Sequence, residues 1–217
     1  MAKATLKLVE SDKEIQRRIN KALATEVNKA LDKTALKVVA PIKMAIKAAL
    51  LNQPEVASVS GGRLAAEFGL PDGRSRIDNI ITQWVDGIIV KVNKATTTSS
   101  RLNAGLTIQM IPRNFADVLG LASSRVTTDK GQDLPWLEWL LLFGDKAIVR
   151  DYSISFDSDR VRRSRSGFAI MQSNRGAFWR VPPEFAGTED NNFVTRALET
   201  IQDDIIGIIE TQMRSVI

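Results

Sequence analysis

From Ser11 to Leu51 the sequence keeps a helical rhythm without a pause. Apolar side chains recur at Ile15, Ile19, Leu23, Val27, Leu31, Val38, Ile42, Ile46 and Leu50, with alanines filling between them. That spacing lays them along one stripe of a helix. Ser11 followed three residues later by Glu14 fits a capping box that opens it. Pro41 falls inside the run, where it removes a backbone donor and crowds the preceding turn. The expectation is two helices meeting near Ala40, or one kinked helix.

Punctuation after this run is dense. Gly61-Gly62 interrupts the next segment, and Gly69-Leu-Pro-Asp-Gly73 reads as a turn. A short helix is expected from Ile77 to Trp84. Gly87 to Asn93 and Gly105 to Ile111 follow as strands, the second alternating apolar and polar at period two. Phe115 to Leu121 suits a short helix and Ser123 to Asp133 a polar loop. Leu134 to Phe143 has the composition of a buried helix, with Pro135 in its first turn. Further strands are expected at Ala147–Phe156, Gly167–Gln172 and Ala177–Val181, until Pro182-Pro183 ends the sheet.

The segment Asn191 to Ser215 reads as a single amphipathic helix. Its packing seam would be Leu198, Ile201, Ile205 and Ile208, continuing Val194 at steps of three and four. The predicted class is therefore α+β: N-terminal helices, a central antiparallel sheet and a long C-terminal amphipathic helix. Residues 1–60 form a basic helical region and 61–217 an α+β body, together one domain. At 217 residues the chain can bury a core without staples.

Composition narrows function more than fold. The chain has no cysteine and no histidine. Disulfides, thiolate nucleophiles and thiolate metal sites are excluded, as are the commonest general base and the commonest zinc ligand. Charge is segregated although the net is only +5. Up to Ser60 there are 11 Lys and Arg against 6 acids; from Pro183 on there are 7 acids against Arg196 and Arg214. Such ends suit head-to-tail contacts between copies, or equally two independently solvated faces. Met1 to Val9 lacks a signal peptide's apolar core, and Leu134 to Phe143 carries Glu138 and is too short to span a bilayer. A soluble chain with no membrane partner is expected.

No Walker-type phosphate loop occurs, and the lone Gly-x-Ser lacks the histidine a hydrolase needs. Asp203-Asp204 are adjacent on a helix and do not share a face. A nuclease built from carboxylates and metal stays open only formally, and no cofactor, metal or catalytic residue is assigned. The most distinctive charged stretch holds Arg160, Arg162, Arg163 and Arg165 within six positions. Three readings stand: a grip on DNA phosphates, pairing with acidic residues of a neighbouring subunit, or a solvated hairpin tip offset by Asp157 and Asp159. Aromatics for base stacking are scarce there. Trp136 and Trp139 share a helix face, as core or as an interface anchor.

Three strings then carry a resemblance. They are Trp136-Leu-Glu-Trp-Leu-Leu-Leu-Phe-Gly144, Phe178-Trp-Arg-Val-Pro-Pro-Glu-Phe-Ala-Gly-Thr188 and Asn192-Phe-Val-Thr-Arg-Ala-Leu198. Their order resembles tailed-bacteriophage neck proteins of the tail-completion and head–tail-joining type. That family has a basic N-terminal helix, a central sheet with a Glu-x-Gly-like element and a Pro-Phe-Leu-Arg-Pro-Ala-Leu-like start to its last helix. Here Glu138 and Gly144 are spaced more widely, and Asn192 and Thr195 stand where the family has prolines. The resemblance covers roughly the second half of the chain. It implies a non-enzymatic virion component, made in the host cytoplasm. It would form a ring of copies, often sixfold, against connector and tail proteins, with DNA as a further contact in the channel. The alternatives are a nucleic-acid-binding or nuclease-type phage protein, or another virion part such as a tail terminator, baseplate or decoration protein.

Overall fold

The computed structural model describes residues 11–97, 102–110, 115–128, 131–157, 159 and 161–216, with Arg163 by its backbone alone. Among them are eight α-helices and three antiparallel two-stranded ladders, so the class is α+β as expected. Contacts divide the chain into two units.

The first unit comprises the described parts of Met1–Pro41, Ile89–Gln109 and Ile206–Ile217. Helix α1 (Asp12–Leu51) begins with the capping box. The Glu14 carboxylate accepts from the Ser11 N–H at 3.1 Å and from its hydroxyl at 3.0 Å. These bonds hold the Glu14 pKa below its ordinary value. The helix runs on through Pro41 without dividing. Val38 and Ile42 on either side are wholly buried, and this burial offsets the bond that proline forfeits. Strands β1 (Ile89–Thr97) and β2 (Leu102–Gln109) form a ribbon. Val90 lies opposite Ile108 and Val92 opposite Leu106, all half-buried on one face. The other face carries Lys91–Gln109 and Asn93–Thr107 hydrogen bonds. Asn28 of α1 ties the ribbon down, its Oδ1 accepting from the Ala95 N–H at 2.7 Å.

The second unit, Ile42–Ile88 with the described parts of Met110–Ile205, holds most of the core. Helices α2 (Pro54–Gly61), α3 (Arg63–Phe68) and α4 (Gly73–Asp86) follow the glycine punctuation. Gly69 ends α3 in the left-handed conformation at φ 64°. Ile77, Ile80, Ile81 and Trp84 of α4 are buried, and Trp84 meets Phe115 edge-on at 6.4 Å and Phe193 at a tilt at 5.9 Å. Helix α5 (Ala116–Leu119) leads to the two-residue strands β3 (Val126–Thr127) and β4 (Asp133–Leu134), within the stretch expected to be loop. Helix α6 (Trp136–Leu142) follows, then the ribbon of β5 (Val149–Ser155) and β6 (Ile170–Trp179).

Two expectations need correction. The central sheet is three separate ladders, and the strands expected at Gly167–Gln172 and Ala177–Val181 are one strand, β6. A bulge absorbs the polar stretch between them: Asp151 adopts φ 62° and its Oδ1 accepts from the Gly176 N–H at 2.8 Å. The terminal helix is two, α7 (Phe193–Thr200) and α8 (Gln202–Arg214). Thr200 bonds back to the Ala197 carbonyl at 2.8 Å, and Ile201 takes a tight step before Asp203 and Asp204 open α8. The seam is broken accordingly. Ile201 is buried at the junction, whereas Leu198, Ile205 and Ile208 are half-buried and no residue of α8 is fully covered.

Glu55, in the first turn of α2, is 1% exposed, and its Oε1 accepts from Nη2 of Arg196 on α7. Burial raises its pKa above the ordinary 4.5, opposed by its own backbone N–H and by the guanidinium. A carboxyl with a raised folded pKa gives its full stability below the unfolded value and loses it as pH climbs through the folded one. Denaturant titrations from pH 4 to 8 should therefore show wild type losing stability relative to Glu55→Gln as pH rises above 4.5, then levelling. A difference that is flat, or that grows in favour of wild type, would refute this.

Candidate functional site

The three strings quoted above meet at one place in the second unit. Helix α6 ends at Leu142, and Gly144 donates its N–H to the Gly187 carbonyl at 3.1 Å. A Cβ on Gly144 would lie 2.6 Å from the Gly187 nitrogen, and one on Gly187 would lie 2.4 Å from the Leu140 carbonyl. The two backbones cross with no room for a side chain. Directly after the crossing, Asn192 is wholly buried. Its Oδ1 accepts from the N–H groups of Val194 and Thr195 at 3.0 and 3.2 Å, and its Nδ2 donates to the Thr188 carbonyl at 2.9 Å. Thr195 completes the box by accepting from the Asn192 N–H at 2.9 Å. Asn192 and Thr195, which replace prolines of the resembled pattern, thus cap α7 by hydrogen bonds.

An aromatic cluster stands beside this crossing. Trp136 is fully buried and sends its indole N–H to the Ser123 carbonyl at 3.0 Å. Trp139 is half-buried and meets Trp179 edge-on at 5.9 Å, and Phe68 lies within 6.3 Å of all three indoles. Of the pair expected as core or anchor, Trp136 is core, and Trp139 shares the cluster with some surface left. Trp179 donates its indole N–H to Glu67 at 2.9 Å; Glu67 also pairs with Arg63 at 2.6 Å, and Arg63 with Glu184 at 2.7 Å. This chain of polar contacts fixes the 178–188 segment to α3. Phe68 carries no local signal of this role in the sequence. Glu67 was legible only as the i+4 partner of Arg63.

A groove of about 560 Å³ opens next to the cluster. Phe68, Tyr152, Ile154 and Met171 line it with Glu67 and Arg165. Arg165 reaches back to α3: its Nε donates to the Gly69 carbonyl at 2.6 Å and its Nη2 to the Phe68 carbonyl at 3.2 Å. A cation is thus set on the last carbonyls of α3, where the helix dipole favours it. Two nitrogens of the Arg165 guanidinium therefore have an intrachain task. Arg162 is exposed on the single turn Val161–Arg163, as are Arg175 and Arg180 on or beside β6. Arg160 and the Arg163 side chain lie outside the described residues.

No group of three or more Asp and Glu among the described residues could hold a metal ion, and no helix among them is long and apolar enough to cross a membrane. The arrangement at the crossing is one of packing and capping. Comparison of the chain with protein-family models, curated proteins and solved structures finds no match.

Two substitutions weigh these contacts. Gly187→Ala should cost about 1–3 kcal/mol in chemical denaturation, because the methyl group meets backbone that cannot retreat. Arg165→Ala should cost about 1.5–3 kcal/mol through lost charged hydrogen bonds, against within about 0.5 kcal/mol for exposed Arg162→Ala. Equal effects of the two arginine variants would show that Arg165 is not a structural clamp.

Proposed function

We propose that this chain is a structural virion protein of a tailed bacteriophage, part of the neck between the DNA-filled head and the tail. In this reading copies of it assemble as a ring, sixfold by the resemblance, against connector and tail proteins. It acts by being a fitted part and not by catalysis. The single observation that carries the reading is the convergence of all three resembling strings on the Gly144–Gly187 crossing and the Asn192 cap. Strings matched by chance need not pack together. Strings that build one junction are what a shared architecture would leave behind. Further support comes from the exposed Arg162, Arg175 and Arg180, which are available to acidic neighbours.

The test is a phage carrying the coding sequence with Arg160, Arg162 and Arg163 replaced by serine and Arg165 kept as the clamp. Electron microscopy of lysates should show filled heads and separate tails, with the purified variant melting as wild type does. Joined, infectious particles would remove these arginines from any joining role. Joined particles that leak DNA would assign them to phosphate contact instead.

A further inference from the structure

Helix α8 poses a problem of burial. It carries Ile205, Ile206, Ile208, Ile209 and Met213, yet none of its residues is fully covered, and Ile206 is 50% exposed. Helix α1 poses the matching one. Its stripe leaves Ile19 48% and Leu23 50% exposed, with Ile15 half-buried. The stripe continues into a groove of about 340 Å³ lined by Leu23, Val27, Ala30, Met213 and Val216, with Lys29 and Lys33 on its rim. Isolated exposed apolar residues need no explanation, but two unfilled helical faces in one chain do.

The charges beside the two faces are opposite. At about 100° per residue, Asp203, Ile206 and Glu210 share one side of α8, and all three are exposed. By the same geometry Lys29 and Lys33 lie on the same side of α1, beyond the end of the Ile15–Ile19–Leu23 stripe. Of the acids on this side, Glu26 already pairs with Lys29 at 2.8 Å, and Asp12 lies at the far end of the stripe. We propose that the Ile15–Ile19–Leu23 stripe of α1 receives the Asp203–Ile206–Glu210 face of α8 from a second copy of this chain. A lipid surface would account for a basic apolar stripe and leave an isoleucine set among acids without a purpose. A second copy accounts for both. Because the two faces differ, the contact is heterologous, and repeating it gives a ring if the rotation closes. The inference rests on the reading of the chain as a self-assembling part and names the surfaces that reading leaves open.

Charge reversal tests it with purified full-length protein in sedimentation velocity. One variant carries Lys29→Glu with Lys33→Glu, the other Asp203→Lys with Glu210→Lys. Wild type should sediment as an oligomer, and each variant alone as a 24.0 kDa monomer. An equimolar mixture should regain the oligomer, because the two reversed faces are again complementary. Leu23→Ser, a change at an exposed site, should dissociate the oligomer while circular dichroism and melting stay as in wild type, which separates assembly from misfolding. Oligomers unchanged by either reversal would overturn this interface while leaving self-assembly in place. A mixture that stays monomeric would overturn the interface too, and a wild type that is monomeric at every concentration would overturn both the interface and self-assembly by this chain alone. The neck reading is judged independently, by whether heads and tails join in the micrographs.

Discussion

Two backbones cross at Gly144 and Gly187 with nothing but hydrogen atoms between them, and the second unit is organised around that approach. A side chain at either position would push α6 away from the segment that follows β6. The consequences would not stay local, since Asn192 begins its cap five residues beyond Gly187 and takes the Thr188 carbonyl as one of its partners. In the same region Trp139 of α6 meets Trp179 of β6 directly, and Phe68 touches both. Close-packed interiors transmit such displacements because they have few voids in which to absorb them. Glycine here is a condition of distance, whereas Gly69 is needed for its left-handed backbone.

Much of this was legible in the sequence, and the physical reasons differ by element. Helix α1 announced itself because its apolar repeat is long and its capping box is complete. Pro41 argued for a break or a kink, and the helix stays undivided because wholly buried neighbours at Val38 and Ile42 outweigh one lost hydrogen bond. The hairpin strands were visible by alternation. Their division into three separate ladders was not, because alternation reports a half-buried face and is silent on which strand lies beside which. The bulge at Asp151 was invisible for a related reason: one aspartate bonding one glycine amide leaves no periodic trace.

The candidate site was legible in outline only. The three strings were found by their residues, but their meeting depends on long-range contacts that no local pattern encodes. Arg165 shows the limit most plainly. Four arginines in six positions look alike in sequence, yet one of them sits on the carbonyls of α3 nearly a hundred positions earlier, while Arg162 faces solvent. Composition counts charges and cannot say which are already spent. The terminal helix taught the converse: its period of three and four continues across Ile201, but Thr200 and the acids at the start of α8 divide it.

The Glu55–Arg196 pair raises a final question of why a carboxylate is buried at all. Two apolar side chains of similar volume would often give equal or greater stability, because desolvating the charges consumes most of the attraction between them. Stability is therefore a poor account of the pair. An apolar contact is satisfied by many relative positions of two helices, since dispersion and burial change little over a small slide. A buried carboxylate is satisfied at few, because each displacement leaves a desolvated charge facing hydrocarbon. Helix α7 carries Arg196 one turn after the Asn192 cap, and α2 carries Glu55 one residue after Pro54 starts it, so both partners are held near the beginnings of their helices. Fixing those two points sets the register of α7, and with it the place from which α8 departs. The pair is better understood as selecting one register than as adding free energy.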